Sequence, residues 1–424
     1  MDKKTEQAAE LTAEEKALRA EKAAKLQEKR KRYLAAVMLK TGWDKEYARK
    51  QMMEARKKVG CSWYVYTYFE FYKMTEEEQV AAYQKWRQKQ ERRKNIRARK
   101  LENSLTEIVN ATGWTREHAL AMYEDAKART GCLPDEYCQY RFWELDNKTQ
   151  ESLTMLYHTD RVRSRFNIDV NLKRLIADKS ESNKFFAKYI DRKWCSNRGT
   201  SFEDFKKTFK GCSKLFYKPM TLFGGHGARP YDLTPANAEE VYNTLMGLPE
   251  GVVEEFVVQH PVLQNLSPRV LNTVRLTSIS FPGPIDDAGN HFAIPYCMLK
   301  MGGATGYVDN LREGGVGAAI DLETGELCTD AVDINLNTYE CHPVSGVKVK
   351  GTVIPYFDEA KKMIQRIAEE NEMKGFLAWD VAITERGPML IEVNGRPSPL
   401  LLELPFYNTP LRGRKHILEP YMPK

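Results

Sequence analysis

Up to about residue 150 the chain is densely charged, with Ala, Met and aromatic positions interspersed. From about residue 165 the apolar positions gather into short runs separated by Gly- and Pro-containing turns. The first texture reads as helix. Its two charged stretches, "AAELTAEEKALRAEKAAKLQEKRKRYLAAVML" and "QVAAYQKWRQKQERRKNIRARKLENSLTEIV", each predict a helix of roughly 20 residues. The second texture reads as strands alternating with helices and Gly-rich loops.

The helical part repeats itself. "TGWDKEYARKQMMEARKKVGCSWYVYTYFEFYKMTEEEQ" starts at Thr41, and "TGWTREHALAMYEDAKARTGCLPDEYCQYRFWELDNKTQ" starts at Thr112. They align without a gap at an offset of 71, so Trp43 meets Trp114, Cys61 meets Cys132, Tyr66 meets Tyr137 and Phe71 meets Phe142. Each unit predicts a Thr-Gly-Trp turn, a helix, a break at Gly-Cys and a second, aromatic-rich helix. Self-similarity of this kind marks a stacked array whose aromatics form the core between units. The expected organisation is an all-α module over 1–155, with repeats near 41–79 and 112–150. A catalytic domain follows over 156–424, with an N-terminal part to about 212 and binding lobes over 213–424.

In the second texture, "LIEVNGRPSP" (390–399) is a strand ending in a Gly-Arg-Pro turn. Residues two apart on a strand share a face, so Glu392 and Asn394 point together while Val393 turns into the core. Twelve residues upstream, "FLAWDVAIT" puts Asp380 inside another apolar strand, with "ERGP" as the hairpin turn between them. Three oxygen ligands from paired strands suit a hard cation such as Mg²⁺, with substrate phosphates completing its octahedron. "KLFYKPMTLFGGHGARPYDLT" (214–234) delivers Lys218 at a strand end and then the Gly224-Gly225-His226-Gly227 loop. Such a loop lets backbone N–H groups approach phosphates. It is neither the Walker pattern nor the GxGxxG fingerprint. "GVVEEFVVQHPVL" (251–263) is a strand running into a linker able to read an adenine edge, and "VLNTVRLTSIS" (270–280) is a strand that places Arg275 beside Thr273. A guanidinium there can clamp a phosphate or carboxylate bidentately.

Charge changes the picture only at the front. Residues 1–104 hold 27 Lys and Arg against 16 Asp and Glu, and the remainder holds 38 against 42, so the net +7 is an N-terminal property. Its basic stretches are the solvated faces of helices, or a surface for an acidic protein partner or an anionic membrane face. No nucleic acid is expected as a partner. Eight cysteines without CxxC or Cys/His spacing exclude a zinc ribbon or a disulfide framework. No apolar run is long enough to span a bilayer and the N-terminus has no signal-peptide core, so a cytoplasmic location with free thiols is expected.

Taken in order, the strand-end "YKP", the Gly-rich loop, "VVEEFVVQHP", "NTVRLTS", "VDNLREGGVGAAID", "WDVAI" and "LIEVNGRPSP" resemble the ATP-grasp superfamily. The closest resemblance is to the sugar-transfer-associated ATP-grasp family, over roughly 165–410. It implies an α+β class: an ATP-grasp fold in which two α+β lobes clasp ATP, here preceded by the all-α tandem helical-hairpin module. Lys184 and Lys218 would bind phosphates, with Lys179 a rival for the first role, and the loop Gly224, Gly225, His226, Gly227 would close over them. Glu254, Glu255 and the backbone of Phe256 and Val257 would hold adenine. Position 261 is Pro where the family carries an acid for the ribose, so Gln259 or His260 would substitute. Asp380, Glu392 and Asn394 would bind Mg²⁺. Arg275, with Lys300 and Arg396 as further catalytic candidates, would hold the transferred phosphate.

Such enzymes activate a carboxylate as an acyl phosphate that an amine attacks. The expected function is therefore an ATP- and Mg²⁺-dependent carboxylate–amine ligase acting on small-molecule substrates, sugar-linked ones included, in surface polysaccharide or sugar-conjugate biosynthesis. A kinase phosphorylating a non-carboxylate acceptor and an adaptor with a degenerate ATP site are the alternatives.

Overall fold

The computed structural model describes residues 13–220 and 226–423. The chain falls into two compact units, Met1–Asn103 and Ser104–Lys424. In the first, helices α1 (Ala13–Thr41), α2 (Lys45–Val59) and α3 (Trp63–Tyr68) are followed by a 3₁₀ turn at Phe71–Lys73 and by α4 (Glu76–Thr112), inside which the division falls. Asp44 caps α2 by accepting from the Tyr47 amide, and Gly60 at φ 76° ends it. Its residues Ala48, Met52 and Ala55 are spaced to share one face, and they pack with Leu34, Val37, Tyr66 and Phe71.

The second unit opens with the second repeat, which reproduces the first element by element. Helix α5 (Arg116–Thr130) has the length of α2, α6 (Pro134–Gln139) matches α3, and a 3₁₀ turn covers Phe142–Glu144. The agreement reaches single hydrogen bonds. Gln79 Nε2 donates to the Phe71 and Met74 carbonyls at 2.9 and 3.1 Å, and Gln150 Nε2 donates to those of Phe142 and Leu145 at the same distances. Glu70 and Arg141 both take positive φ, the strained corner before each 3₁₀ turn.

Helices α7 (Asn147–Ser152), α8 (Leu156–Arg165), α9 (Val170–Ala177) and α10 (Lys179–Phe185) lead into two antiparallel sheets. The smaller sheet has the order β1-β4-β2-β3, from β1 (Trp194–Ser196), β2 (Lys214–Pro219), β3 (Arg229–Asp232) and β4 (Gly251–Glu255). Helices α11 (Phe202–Thr208) and α12 (Ala238–Gly247) supply its apolar cover. After α13 (Pro261–Leu266) come β5 (Thr273–Ser280), β6 (Phe292–Met301), β7 (Val316–Ala319), β8 (Ala331–Val332), β9 (Thr338–Tyr339), helix α14 (Phe357–Glu370), β10 (Gly375–Thr384), β11 (Gly387–Asn394) and α15 (Leu400–Glu403). The larger sheet runs β11-β10-β5-β6-β7-β8-β9. All ten residues of β10 are buried, as a strand covered on both faces requires. The result is the mixed class expected, with an all-helical front and antiparallel sheets behind.

The second repeat is built into the sheet-containing unit. Gln139 Nε2 donates to the Ile334 carbonyl at 2.6 Å and Arg141 to that of Asn335 at 3.1 Å. Tyr407 Oη donates to the Tyr140 carbonyl at 2.6 Å, with the two rings stacked. The fully buried Glu403 accepts from the amides of Thr154 at 2.6 Å and Arg414 at 2.9 Å. The eight cysteines are all free thiols, and no described helix is long and apolar enough to cross a membrane.

Candidate active site

Strand register builds the centre of the site. Arg275 on β5 faces Asp380 on β10, Asp380 faces Glu392 on β11, and Lys300 on β6 faces Thr273 on β5. Directly paired residues share a face, as do residues two apart, so these side chains form one row across four strands. Arg275 clamps Asp380 through Nε and through Nη2, the latter at 2.6 Å, and Lys300 Nζ lies 3.2 Å from Asp380 and 3.3 Å from Asp309. Asp309 also accepts from the Thr273 amide at 2.9 Å. Burial pushes the Asp380 carboxyl up, but the charges of Arg275 and Lys300 more than offset this and hold it at about 2. It is therefore a fixed anion. The Arg275 clamp leaves Nη1 of its five-donor fork for a ligand.

A β-bulge interrupts β11. Asp380 pairs with Glu392 but Val381 pairs with Leu390, so Ile391 is the extra residue. The bulge turns Ile391, Glu392 and Asn394 into one cavity while Leu390 and Val393 stay in the core. Glu392 is exposed, and Asn394 Nδ2 is buried with no hydrogen-bond partner. Turned over about its Cβ–Cγ bond, the same carboxamide would present its oxygen at this point. Glu392 and a carboxamide oxygen at Asn394 suit a hard dication whose other positions go to phosphate and water, and Asp380, whose two oxygens already accept from Arg275 and Lys300, could join them only through its remaining lone pairs. Among the described residues no cluster of three His, Cys, Asp or Glu offers a metal site.

The row lies in a cavity of about 850 Å³. At one end are Phe216, Lys218, Glu254, Glu255, Phe256 and Val257 from the small sheet and the linker after β4. Both oxygens of the buried Glu254 are taken. Oε2 meets Lys218 at 2.6 Å, while Oε1 accepts from Arg192 at 2.9 Å and Asn183 at 3.0 Å. Burial raises the Glu254 carboxyl, yet Arg192 and Lys218 bring it below the ordinary carboxylate range. Glu254 is thus placed as the hub of an ion network rather than as a free acceptor. Arg192, which Nη1 ties to the Leu390 carbonyl at 2.7 Å, was not singled out in the sequence. Lys214 lines the cavity with Nζ 4.7 Å from the Phe256 ring centre.

Other expected residues are distributed unevenly. Lys179 lines the cavity, whereas Lys184 is exposed and paired with Glu181 at 2.8 Å. Five positions apart on one helix, the two point about 140° away from each other. His226 lines the cavity 3.3 Å from Glu313, and Gly227 follows at φ 75°. Gly224 and Gly225 lie outside the described residues. His260 caps α13 through the Val262 amide and packs against Tyr356, away from the cavity lining. Arg396 is also off the lining, 3.7 Å from Asp160.

The other end of the cavity has no counterpart in the motifs. It is made by Ile334, just past β8, and by Leu400, Leu401 and Leu404 on and after α15. Arg269, Tyr307 and Arg312 are exposed lining residues.

Comparison with known proteins matches residues 237–417 to the family described as sugar-transfer associated ATP-grasp. No curated protein matches the sequence. Solved structures that match include D-alanyl-alanine synthetase A from Vibrio cholerae O1 biovar eltor, at 13% identity over 58% of this chain and 60% of that one, TM-score 0.33. N5-carboxyaminoimidazole synthetase from Staphylococcus aureus complexed with ADP is similar at 12% identity over 53% and 46%, TM-score 0.33. D-alanine–D-alanine ligase from Bacillus anthracis complexed with ATP is similar at 12% identity over 53% and 56%, TM-score 0.31. The chain covers about half to three-fifths of the length of these proteins.

Proposed function

We propose, from the premise that residues 237–417 belong to the sugar-transfer-associated ATP-grasp family, that the chain is an ATP- and Mg²⁺-dependent carboxylate–amine ligase. The observation that carries this reading is the row Glu392, Asp380, Arg275, Lys300, which sets two carboxylates directly beside two cations on one sheet face. Adenine would lie between Phe216 and the linker Phe256–Val257, with Lys179 and Lys218 reaching the phosphates. Asp380, Glu392 and Asn394 would hold Mg²⁺, which supplies charge neutralisation of the β- and γ-phosphates.

In the first step a substrate carboxylate oxygen attacks the γ-phosphorus and ADP leaves with the bridging electrons. In the second the amine nitrogen attacks the acyl carbon, the C–O bond to phosphate breaks, and the nitrogen loses a proton. Arg275 Nη1 and Lys300 would hold the charge on the acyl phosphate, as preorganised donors should. Asp380 keeps Arg275 in place for this, and Asp309 does the same for Lys300. The family description supports a sugar-linked substrate, and we place the reaction in sugar-conjugate assembly.

The test is incubation with ATP, Mg²⁺ and a panel of carboxylic acids and amines, amino sugars included. Acid-dependent release of ADP and phosphate with an amide product is expected. ADP with a phosphorylated acceptor and no phosphate release would replace the ligase by a kinase, and nucleotide binding without turnover on any pair would leave an adaptor.

A further inference from the structure

The far end of the cavity contains a second kind of information. Arg192 ties Glu254 to the Leu390 carbonyl of β11, and the His260 amide donates to the Ile383 carbonyl of β10 at 2.7 Å. The nucleotide end is thereby fixed at the β10–β11 edge of the large sheet. Reading across that sheet, the cavity is anionic at Glu392 and Asp380, cationic at Arg275 and Lys300, and aliphatic at Ile334 and the α15 leucines. From β10 to β8 is four strand steps, or about 19 Å at the usual spacing.

A carboxylate held at Arg275 and Lys300 for attack on a phosphate on the β10 side has its carbon body directed the other way, towards β7 and β8. The wall it meets there is rigid. Gln139 and Arg141 pin the Ile334–Asn335 carbonyls, and the segment after α15 packs on β7 and β8 and is held to the second repeat by Tyr407. A sugar acid would press hydroxyl groups against Ile334, Leu400, Leu401 and Leu404, whose side chains offer no hydrogen-bond partner, and each buried polar group left unpaired is costly.

We infer that the acid activated by this protein carries an apolar group, aliphatic or aromatic, next to its carboxylate, and that this group seats against Ile334, Leu400, Leu401 and Leu404. The inference rests on the ligase reading and sharpens it: the sugar character of the reaction belongs to the amine, and the acyl part is hydrophobic. Leu400 and Leu401 are the partly exposed members of the wall, so they set how large a group enters.

The experiment replaces the amine by hydroxylamine, which attacks the acyl phosphate to give a hydroxamate and free phosphate. Full-length protein with Mg-ATP is assayed on aliphatic and aromatic amino acids and alkanoic acids against uronic and polyhydroxy acids of similar size. Apolar acids should exceed polar ones at least tenfold in kcat/KM, the scale on which an apolar pocket discriminates. Leu401→Asn should cut that advantage about tenfold while the ATP-induced thermal shift stays as in the wild type. A preference for uronic acids, or unchanged selectivity in Leu401→Asn, overturns the inference and leaves the ligase standing. Absence of ADP and hydroxamate with every acid, despite ATP binding, overturns the ligase reading and this inference with it.

Discussion

Replacing Glu254 by Gln keeps the side chain's shape, removes its charge and turns one of its two acceptor oxygens into a donor. The Arg192 side chain is 1% exposed and that of Lys218 is 22% exposed, and both point at this carboxylate. Lys218 can turn towards water in the cavity. Arg192 cannot, and its Nε is already buried without a partner. Breaking a buried pair by removing one member typically costs about 3–5 kcal/mol, because the surviving charge is left uncompensated. At about 2 °C per kcal/mol for a unit this large, the melting temperature should fall by roughly 6–10 °C. The double variant Arg192→Met/Glu254→Leu removes both charges and should recover most of that loss, since apolar replacements of a buried pair are often neutral. The sign of the pH effect follows from the lowered Glu254 carboxyl. Its stabilisation is complete above the unfolded value of about 4.3 and is lost as pH falls towards the lower folded value. Thermal melting by circular dichroism between pH 3 and 7 measures each quantity. A Glu254→Gln protein that melts with the wild type, or a double variant no better than the single one, would refute the network as a determinant of stability.

Arg275→Lys should bind ATP as the wild type does and turn over about 10²-fold more slowly in steady-state kinetics, because an ammonium keeps charge but loses the fork that holds Asp380 and ligand together. Glu392→Gln should abolish turnover with an unchanged circular-dichroism spectrum, since the residue is exposed and the role proposed for it is to donate oxygen to a dication. Burial pushes Glu403 up to about 7 although amides of Thr154 and Arg414 donate to it. Its raised value favours the folded state below about 4.3, and that advantage is lost as pH rises through 7. Glu403→Gln should therefore match the wild type near pH 5 and melt higher at pH 8, by up to about 3 kcal/mol of stability. Parallel melting curves at the two pH values would contradict it.

Much of the centre was legible because it is local. The alternation in "LIEVNGRPSP" and the buried Asp380 in "FLAWDVAIT" are statements about strands, and strand pairing then brings Arg275 and Lys300 to the same face. The bulge at Ile391 was not legible, because nothing in Leu-Ile-Glu distinguishes a regular strand from one with an extra residue. The ion network around Glu254 was hidden for another reason: Arg192 is 62 residues from it, in a stretch with no pattern of its own. The choice between Lys179 and Lys184 depended on which way α10 is rotated, and Lys179 is the one on the cavity side. The aliphatic end was missed because Ile334 and the α15 leucines read as ordinary core residues. In the repeat the pattern was complete at the level of elements. That the second copy is joined to the loop at Ile334 and to Tyr407 by Gln139 and Tyr140 depends on contacts made roughly two hundred positions or more away.

The two repeats consequently live under different rules of inheritance. In the second, the corner 139–141 is spoken for: its donors are committed to the carbonyls of Ile334 and Asn335, so a substitution there is felt in the substrate wall. In the first, the corresponding corner begins with Tyr68, which is 64% exposed and stacks on Tyr64, itself 45% exposed. A duplication left one copy as masonry and the other at liberty. Descendants of this chain can rewrite Tyr64 and Tyr68 without touching the chemistry, while Gln139 and Arg141 can change only in step with the loop they hold.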